Sequence, residues 1–129
     1  MIKNRQMPWK ILTLVYLAAV SYLCFAPAGS FPTITEWHFF IPADKVVHFC
    51  MFTPFPVLMF FAFAKKSPAR IGLYLLTGAS MAFFTECIQG LTKTRSMDMT
   101  DFAADSCGLV FSCLLLLVFW KVCGRRETR

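Results

Sequence analysis

Three clusters of polar and ionisable residues interrupt the apolar segments of this chain. They are Asp44-Lys45-x-x-His48, Glu86-x-x-Gln89 and Arg95-x-x-Asp98-x-x-Asp101-x-x-x-Asp105. Carboxylates and imidazoles are the side chains that most often move protons and bind divalent cations in proteins. The chain contains no Gly-x-Ser-x-Gly nucleophile motif, so the clusters indicate proton transfer or ion binding rather than acyl transfer.

The spacing within these clusters places the polar side chains on shared helix faces. Asp44 and His48 are four residues apart, as are Asp101 and Asp105, and side chains at this spacing are neighbours on a helix. With a rise of 1.5 Å per residue, His48 and Asp105 lie about 6 Å further into the protein than Asp44 and Asp101. Glu86 reaches a similar depth near the end of its own segment. We therefore predict one polar layer that contains His48, Glu86 and Asp105.

The segments that position these residues are strongly apolar. Hydrophobic residues make up 57% of the 129 residues and charged residues 16%, whereas soluble domains average about 45–50% and about 25%. A water-soluble fold of this size could not bury so much apolar surface, and a disordered chain would not stay solvated. The composition therefore predicts an integral membrane protein.

Four apolar segments approach or reach the roughly 20 residues that a helix needs to cross a bilayer. They cover about residues 8–26, 46–64, 71–88 and 102–123. Unbroken apolar runs of this length are typical of helices, whose backbone polar groups are satisfied within the segment. We predict an all-α fold, with a single domain over residues 1–129 that forms a four-helix transmembrane bundle.

The basic residues predict the orientation of this bundle. Ten of the 13 Lys and Arg residues lie in the two tails and in the connection between the second and third segments. Since basic residues favour the cytoplasmic side, both termini should be cytoplasmic and the polar clusters should lie at the outer surface. The net charge of +6 is then a topology signal, and no nucleic-acid partner is expected.

The first segment has a rival interpretation as a cleavable signal peptide. Lys3 and Arg5 would form its basic region, and Ala26-Pro27-Ala28 resembles a small-residue cleavage site. Cleavage would leave three spans and upset the agreement in charge between the two tails. We therefore expect the first helix to be retained.

Prolines and small residues predict how the helices bend and pack. Pro54 and Pro56 should interrupt the second helix, because proline lacks a backbone N–H donor. Small residues should allow the helices to approach closely: Gly72, Gly78 and Ser80 in the third segment, and Gly108 and Ser112 in the fourth.

Most of the polar residues also have a structural explanation. Asp44 and Asp101 fall in the first turn of a helix, where a carboxylate stabilises the helix dipole. Asp98 has the position of a helix cap or of a partner for Arg95, and a single His48 is more often a hydrogen-bonded structural residue. Glu86 has no capping role within its apolar segment, and an ionisable group that faced lipid would cost a few kcal/mol. Glu86 is therefore the strongest functional candidate.

Cofactor binding is not required by the sequence. The six cysteines lie in or at the ends of the apolar segments, and neither a Cys-x-x-Cys pair nor a His-rich partner indicates a zinc or redox site, so we expect packing roles. A disulfide among Cys50, Cys87 and Cys107 stays open, because these three residues lie towards the outer ends of their segments. A divalent cation bound by His48, Glu86, Asp101 and Asp105 remains an alternative to proton chemistry.

The three clusters together resemble the signature of the VanZ-like family, which consists of small multi-span bacterial membrane proteins. The matching residues are Asp44, Lys45, His48, Phe49, Glu86, Gln89, Arg95, Asp98, Asp101, Asp105 and Gly108. They follow in order through the second to fourth segments, and the first segment agrees in length and place. Two positions depart from the pattern: the family commonly has Asn in place of Asp105, and often a second Gly in place of Ser112.

The resemblance implies a role in the bacterial cell envelope, from a position in the cytoplasmic membrane. The namesake of the family is associated with low-level resistance to the glycopeptide antibiotic teicoplanin. Expected partners are therefore membrane lipid and a lipid-linked precursor, a cell-wall precursor or a glycopeptide.

Two classes of function remain open. In the first, the clusters act on an envelope precursor: Glu86 is the general acid or base, tuned by Asp105, and His48 shuttles a proton with Asp44 as its partner. Lys45 and Arg95 would then hold an anionic head group; Gln89, Asp98 and Asp101 are further candidates for the site. In the second, the protein binds an amphiphile or supports another envelope protein without turnover.

Overall fold

The structure is a computed structural model that describes residues 2–30, 38–63, 66–92 and 96–124. These residues form five helices and a short 3-10 turn at Ala28–Ser30. The helices are α1 (Ile2–Phe25), α2 (Ala43–Phe52), α3 (Pro54–Ala62), α4 (Pro68–Leu91) and α5 (Met99–Gly124). No strand occurs in the described ranges, and the predicted all-α class is confirmed.

Four helical segments are long and apolar enough to cross a membrane. They are Arg5–Phe25, Ala43–Ala62, Pro68–Leu91 and Met99–Cys123, so that α2 and α3 together form the second. This confirms the predicted four-helix transmembrane architecture. All four segments begin a few residues before the predicted apolar runs, and in α2 and α5 the added first turn carries a carboxylate, Asp44 or Asp101. The predicted orientation of the termini stays a prediction.

The second segment is interrupted at Thr53, next to the prolines that predict a break. Thr53 keeps helical dihedral angles (φ −54°, ψ −40°). Its backbone N–H and its hydroxyl both donate to the carbonyl oxygen of Phe49, at 3.1 and 2.7 Å. Pro54 and Pro56 supply no N–H to the turn before them, so the helix is locally open where α2 meets α3.

Helix α1 packs into the bundle through polar and aromatic contacts. The ring of Trp9 stacks on Phe61 of α3, with 4.8 Å between the ring centroids. The hydroxyl of Tyr16 donates to the carbonyl oxygen of Met51, 2.6 Å away and close to the break at Thr53. The first apolar segment is therefore an integral part of the helix packing.

Two buried apolar clusters hold the helices together. The first contains Val20, Cys24, Phe52, Phe55, Ala82 and Leu109. The second contains Phe60, Ile71, Tyr74, Cys113 and Leu116.

Two of the three glycines that the sequence predicts at helix contacts lie where the helices approach closely. A Cβ atom on Gly78 would lie 2.6 Å from Cδ2 of Leu109, and one on Gly108 would meet Thr53 Oγ1 at 2.9 Å. The expectation for Gly72 is wrong, because none of the described residues comes within 4 Å of its Cβ position. Close approach therefore involves α5 with α4 and with the end of α2.

Candidate functional site

One end of the bundle gathers ionisable side chains from three helices. The first two turns of α2 and α5 meet the last two turns of α4 there, and they contribute His48, Asp105 and Glu86. Glu86 and Asp105 are 1% exposed and His48 is 9% exposed. One ligand-type atom from each of the three residues lies within 4.8 Å of the others. The structure thus brings together the three residues of the predicted polar layer.

His48 lies between two carboxylates of α5. Its Nδ1 atom lies 2.9 Å from Oδ1 of Asp105, a hydrogen bond between buried side chains. Its Nε2 atom lies 3.6 Å from Oδ2 of Asp101. Both edges of the imidazole therefore face acids one helical turn apart, and this fixes the plane of the ring.

Glu86 receives a hydrogen bond from the main chain. The backbone N–H of Asp98 donates to Oε2 of Glu86 at 3.0 Å. The chain can turn back over the end of α4 because Gly90 has no side chain, and a Cβ atom there would lie 2.9 Å from Cβ of Met97. Glycine at position 90 therefore allows the contact that orients the Glu86 carboxylate.

Lys45 joins the start of α2 to the start of α5. Its Nζ atom forms ion pairs with Asp44 and Asp98, each at 2.9 Å. It also forms an ion pair and hydrogen bond with Asp101. The side chain is 17% exposed, so this ion-pair network covers the buried cluster at the end of the bundle.

Asp98 caps α5, as its position in the sequence predicts. Its Oδ1 atom accepts hydrogen bonds from the backbone N–H and the hydroxyl of Thr100, at 2.8 and 2.7 Å. These bonds, together with the ion pair to Lys45, hold the pKa of the Asp98 carboxyl below its ordinary value. Asp98 therefore remains ionised while its backbone contacts Glu86.

The predicted partnership between Asp44 and His48 is wrong. Asp44 is 58% exposed and pairs with Lys45, whereas His48 is directed towards α5. The spacing places both residues on one face of α2, but the carboxylates of α5 lie closer to the imidazole. Asp105 and Asp101 take the place predicted for Asp44.

Gln89 and Arg95 are the remaining residues that the sequence predicts for the site. The Nε2 atom of Gln89 donates to the carbonyl oxygen of Cys24 at 2.6 Å, which ties α4 to the end of α1. Gln89 lies one turn after Glu86 on α4, but within the described ranges its amide donates to α1 and not to the cluster that contains Glu86. Arg95, predicted to hold an anionic head group, lies outside the described residues.

The described part of the site carries an excess of negative charge. Its carboxylates are Asp44, Glu86, Asp98, Asp101 and Asp105, and its basic side chains are Lys45 and His48. Such an arrangement can share and transfer protons between Glu86 and Asp105, or it can bind a cation. Sequence patterns did not reveal the backbone N–H of Asp98 as a member of the site, because backbone contacts across a loop leave no periodic signal.

Comparison with known proteins agrees with this architecture. The VanZ/LLP1 family model matches residues 6–120, a range that includes all three polar clusters and reaches from α1 into the last turns of α5. Neither curated proteins nor solved structures gave a match. Since the family model covers most of the chain, this multi-pass membrane protein belongs to the VanZ/LLP1 family.

Proposed function

We propose that the protein uses the polar end of its bundle to bind the head group of an amphiphilic cell-envelope molecule at the outer membrane surface. The ligand class is a lipid-linked or cell-wall precursor, and its binding alters susceptibility to teicoplanin. The observation that carries the proposal is the burial of His48, Glu86 and Asp105 as one cluster at the end of three helices.

The burial of these groups supports a functional role. Ionisable residues within membrane spans are expensive, and they commonly mark sites of binding or proton transfer. Helix capping explains Asp98 and the first-turn residue Asp101. It does not explain Glu86, which lies near the end of α4, where a carboxylate opposes the helix dipole.

The arrangement suggests how a head group would be handled. Lys45 lies near the surface with exposed carboxylates beside it, Asp44 at 58% and Asp98 at 43% exposure. An anionic head group would replace one of these two carboxylates at Lys45, with Arg95 as a second contact. Glu86, deeper in the site, would then exchange a proton with the ligand, while Asp105 holds the imidazole of His48 in place.

Teicoplanin susceptibility in a bacterial host tests this proposal. The host expresses the wild type, Glu86→Gln or Thr85→Val, at membrane abundances matched by immunoblot. Thr85→Val is the control because it has a similar shape, is adjacent on α4, and loses only a hydrogen bond to Ala82 of its own helix. We expect the wild type and Thr85→Val to raise the inhibitory concentration several-fold, and Glu86→Gln to leave it at the level of the empty vector.

Two outcomes would contradict the proposal in different ways. Protection by Glu86→Gln equal to that of the wild type would remove Glu86 from the function. Absence of protection by the inserted wild type would refute the link to teicoplanin, and binding of envelope lipids extracted with the protein would then test the head-group site directly.

A second candidate is a binding or scaffold protein without turnover. It is favoured by the number of contacts that already engage the polar groups: Lys45 has three carboxylate partners, and Gln89 is bound to α1. A purely structural network predicts that Lys45→Arg acts only through packing. Protection that falls in proportion to the folded fraction of Lys45→Arg would support this candidate.

A further inference from the structure

We propose that His48, Glu86 and Asp105 bind one divalent transition-metal ion, for which Zn²⁺ is the best-matched probe. The inference gives the proposed site a cofactor in place of proton exchange by Glu86, and it rests on the proposed function for its biological role. Its test uses purified protein and the metal alone.

The positions of the three side chains fit a single ion. Their ligand-type atoms lie within 4.8 Å of one another, whereas ligand atoms around a tetrahedral zinc ion are about 3.3 Å apart, given bond lengths of about 2.0–2.2 Å. To bind one ion, the side chains would have to rotate so that these atoms come up to about 1.5 Å closer together. The His48–Asp105 hydrogen bond of 2.9 Å would be replaced by two bonds to the ion.

A buried oxygen atom without a partner is an independent sign of a ligand. Asp105 is 1% exposed, and its Oδ2 atom has no hydrogen-bond partner among the described residues. Buried carboxylate oxygens in proteins are nearly always satisfied by a hydrogen bond, a water or an ion. The other oxygen, Oδ1, contacts His48, so the unsatisfied atom belongs to a carboxylate that already lies in the cluster.

The local charge also favours a cation. Lys45 offsets only part of the charge of Asp44, Asp98 and Asp101. Glu86 and Asp105 lie deeper in the protein. The basic side chain next to them is His48, which also faces Asp101. Two buried carboxylates close together need a proton or a cation, because their mutual repulsion is strong where water is excluded.

The types of ligand select the metal. Carboxylates alone would suit Mg²⁺ or Ca²⁺, whereas an imidazole beside two carboxylates favours Zn²⁺ and related transition metals. If Nδ1 of His48 binds the ion, Nε2 faces Asp101 at 3.6 Å, which resembles the carboxylate–histidine–metal arrangement that orients metal-bound imidazoles. The backbone N–H of Asp98 orients Glu86 in the same way.

Three protein ligands leave a coordination position open. In zinc sites with three protein ligands, the remaining position holds water or a substrate atom. Here it would be available to a head group that enters beside Lys45. The ion would polarise the oxygen atom bound to it, and this is a chemical role that the three side chains alone do not supply.

Zn²⁺ binding to detergent-solubilised protein tests the inference. The chain carries no histidine tag, and Cys50, Cys87, Cys107 and Cys123 are replaced by Ser, because thiols outside the core bind zinc adventitiously. After treatment with a chelator, Zn²⁺ is titrated in competition with a chromophoric chelator. We expect one ion per chain, and a loss of affinity of at least tenfold in Glu86→Gln, Asp105→Asn and His48→Gln.

A matched control separates ligand loss from general damage. Thr85→Val alters the residue next to Glu86 and loses only a hydrogen bond within α4, so it should bind Zn²⁺ with unchanged affinity. Each variant is first tested for helix content and a cooperative thermal transition. Co²⁺ bound in place of Zn²⁺ should show the visible absorption of an ion with nitrogen and oxygen ligands. This absorption should shift or disappear in Glu86→Gln, Asp105→Asn and His48→Gln.

The outcomes distinguish the metal site from the proposed function. Binding of less than one Zn²⁺ ion per chain would overturn the metal site. So would folded Glu86→Gln and Asp105→Asn variants that bind Zn²⁺ as tightly as the wild type. Either result would stand even if Glu86→Gln abolished protection against teicoplanin. Glu86→Gln could instead weaken Zn²⁺ binding and still protect the host against teicoplanin. That result would support the metal site and contradict the proposed function.

Discussion

The carbonyl oxygen of Phe49 on α2 packs against Gly108 on α5 so closely that a Cβ atom at position 108 would clash with it. Phe49 follows His48 directly, and Gly108 lies one helical turn after Asp105. The close approach of the two backbones therefore sets the distance of 2.9 Å between His48 Nδ1 and Asp105 Oδ1. A residue without chemistry of its own thus controls the geometry of the buried pair.

Gly108→Ala should separate α2 from α5 and destabilise the protein by about 1–3 kcal/mol, the usual cost of overpacking. The added methyl group meets a backbone carbonyl and the hydroxyl of Thr53, and neither of these can rotate away freely. The midpoint of thermal unfolding in detergent measures the effect.

Gly72→Ala is the matched control. In the part of the chain that the structure describes, no atom lies within 4 Å of its Cβ position, and alanine is favoured over glycine within helices by up to about 1 kcal/mol. We expect an unchanged or higher midpoint. Equal midpoints for Gly108→Ala and Gly72→Ala would show that the contact between α2 and α5 is not tight in the membrane protein.

The ion pairs of Lys45 provide a second test. Lys45→Met removes the cation from between Asp44, Asp98 and Asp101. Stability should fall by about 1 kcal/mol, because three like charges then lie together without a cation and Asp101 is only 17% exposed. Lys45→Arg keeps the charge and should cost less.

A double-mutant cycle attributes this cost to charge. Asp101→Asn, added to Lys45→Met, removes one of the unpaired carboxylates and should recover part of the lost stability. The unfolding midpoint of the double variant should lie above that of Lys45→Met. Strictly additive losses from the two substitutions would mean that Lys45 stabilises the bundle through its aliphatic stem rather than through its charge.

A third prediction concerns the contact of α1 with the interrupted second segment. Tyr16→Phe removes the hydrogen bond to the carbonyl oxygen of Met51 and should cost about 1 kcal/mol, within the range measured for hydrogen bonds in membrane bundles. Tyr22→Phe is the control, because Tyr22 is 67% exposed. Thermal midpoints compared in one detergent give the difference, and equal midpoints would assign the hydroxyl of Tyr16 no stabilising role.

Hydropathy and helical spacing were sufficient to predict the four segments and the meeting of His48, Glu86 and Asp105. Hydropathy identifies spans because the bilayer demands about 20 apolar residues. Spacing works for residues on one helix, since a difference of four positions fixes their relative depth. The shared polar layer followed from both, because all three side chains lie a few residues from the same end of a span.

The pairing between helices was beyond the reach of spacing. The spacing predicts Asp44 as the partner of His48, because the two residues share a face of α2. The packing of α2 against α5 instead places Asp105 and Asp101 next to the imidazole. The contact from the Asp98 backbone to Glu86 depends on the path of a loop. Both features depend on how each helix is rotated about its axis in the bundle. The spacing of residues within one helix does not predict that rotation.

The orientation of the bundle is the last prediction. Ser96 lies in the connection next to the polar clusters, and Ala69 lies in the first turn of α4 at the opposite end; both are exposed. With the native cysteines replaced by Ser, a membrane-impermeant maleimide should label Ser96→Cys in intact spheroplasts. It should label Ala69→Cys only after solubilisation with detergent. Neither substitution changes a charge, so the distribution of Lys and Arg that predicts the topology is preserved.

The opposite labelling pattern would have a specific consequence. Labelling of Ala69→Cys but not Ser96→Cys in intact spheroplasts would place the cluster of His48, Glu86 and Asp105 at the cytoplasmic surface. A glycopeptide outside the cell would then have no direct access to this cluster, and the proposed ligand class would narrow to envelope precursors in the inner leaflet. Labelling of Ala69→Cys after solubilisation is the required control, because it shows that the thiol is reactive and that only the membrane protects it.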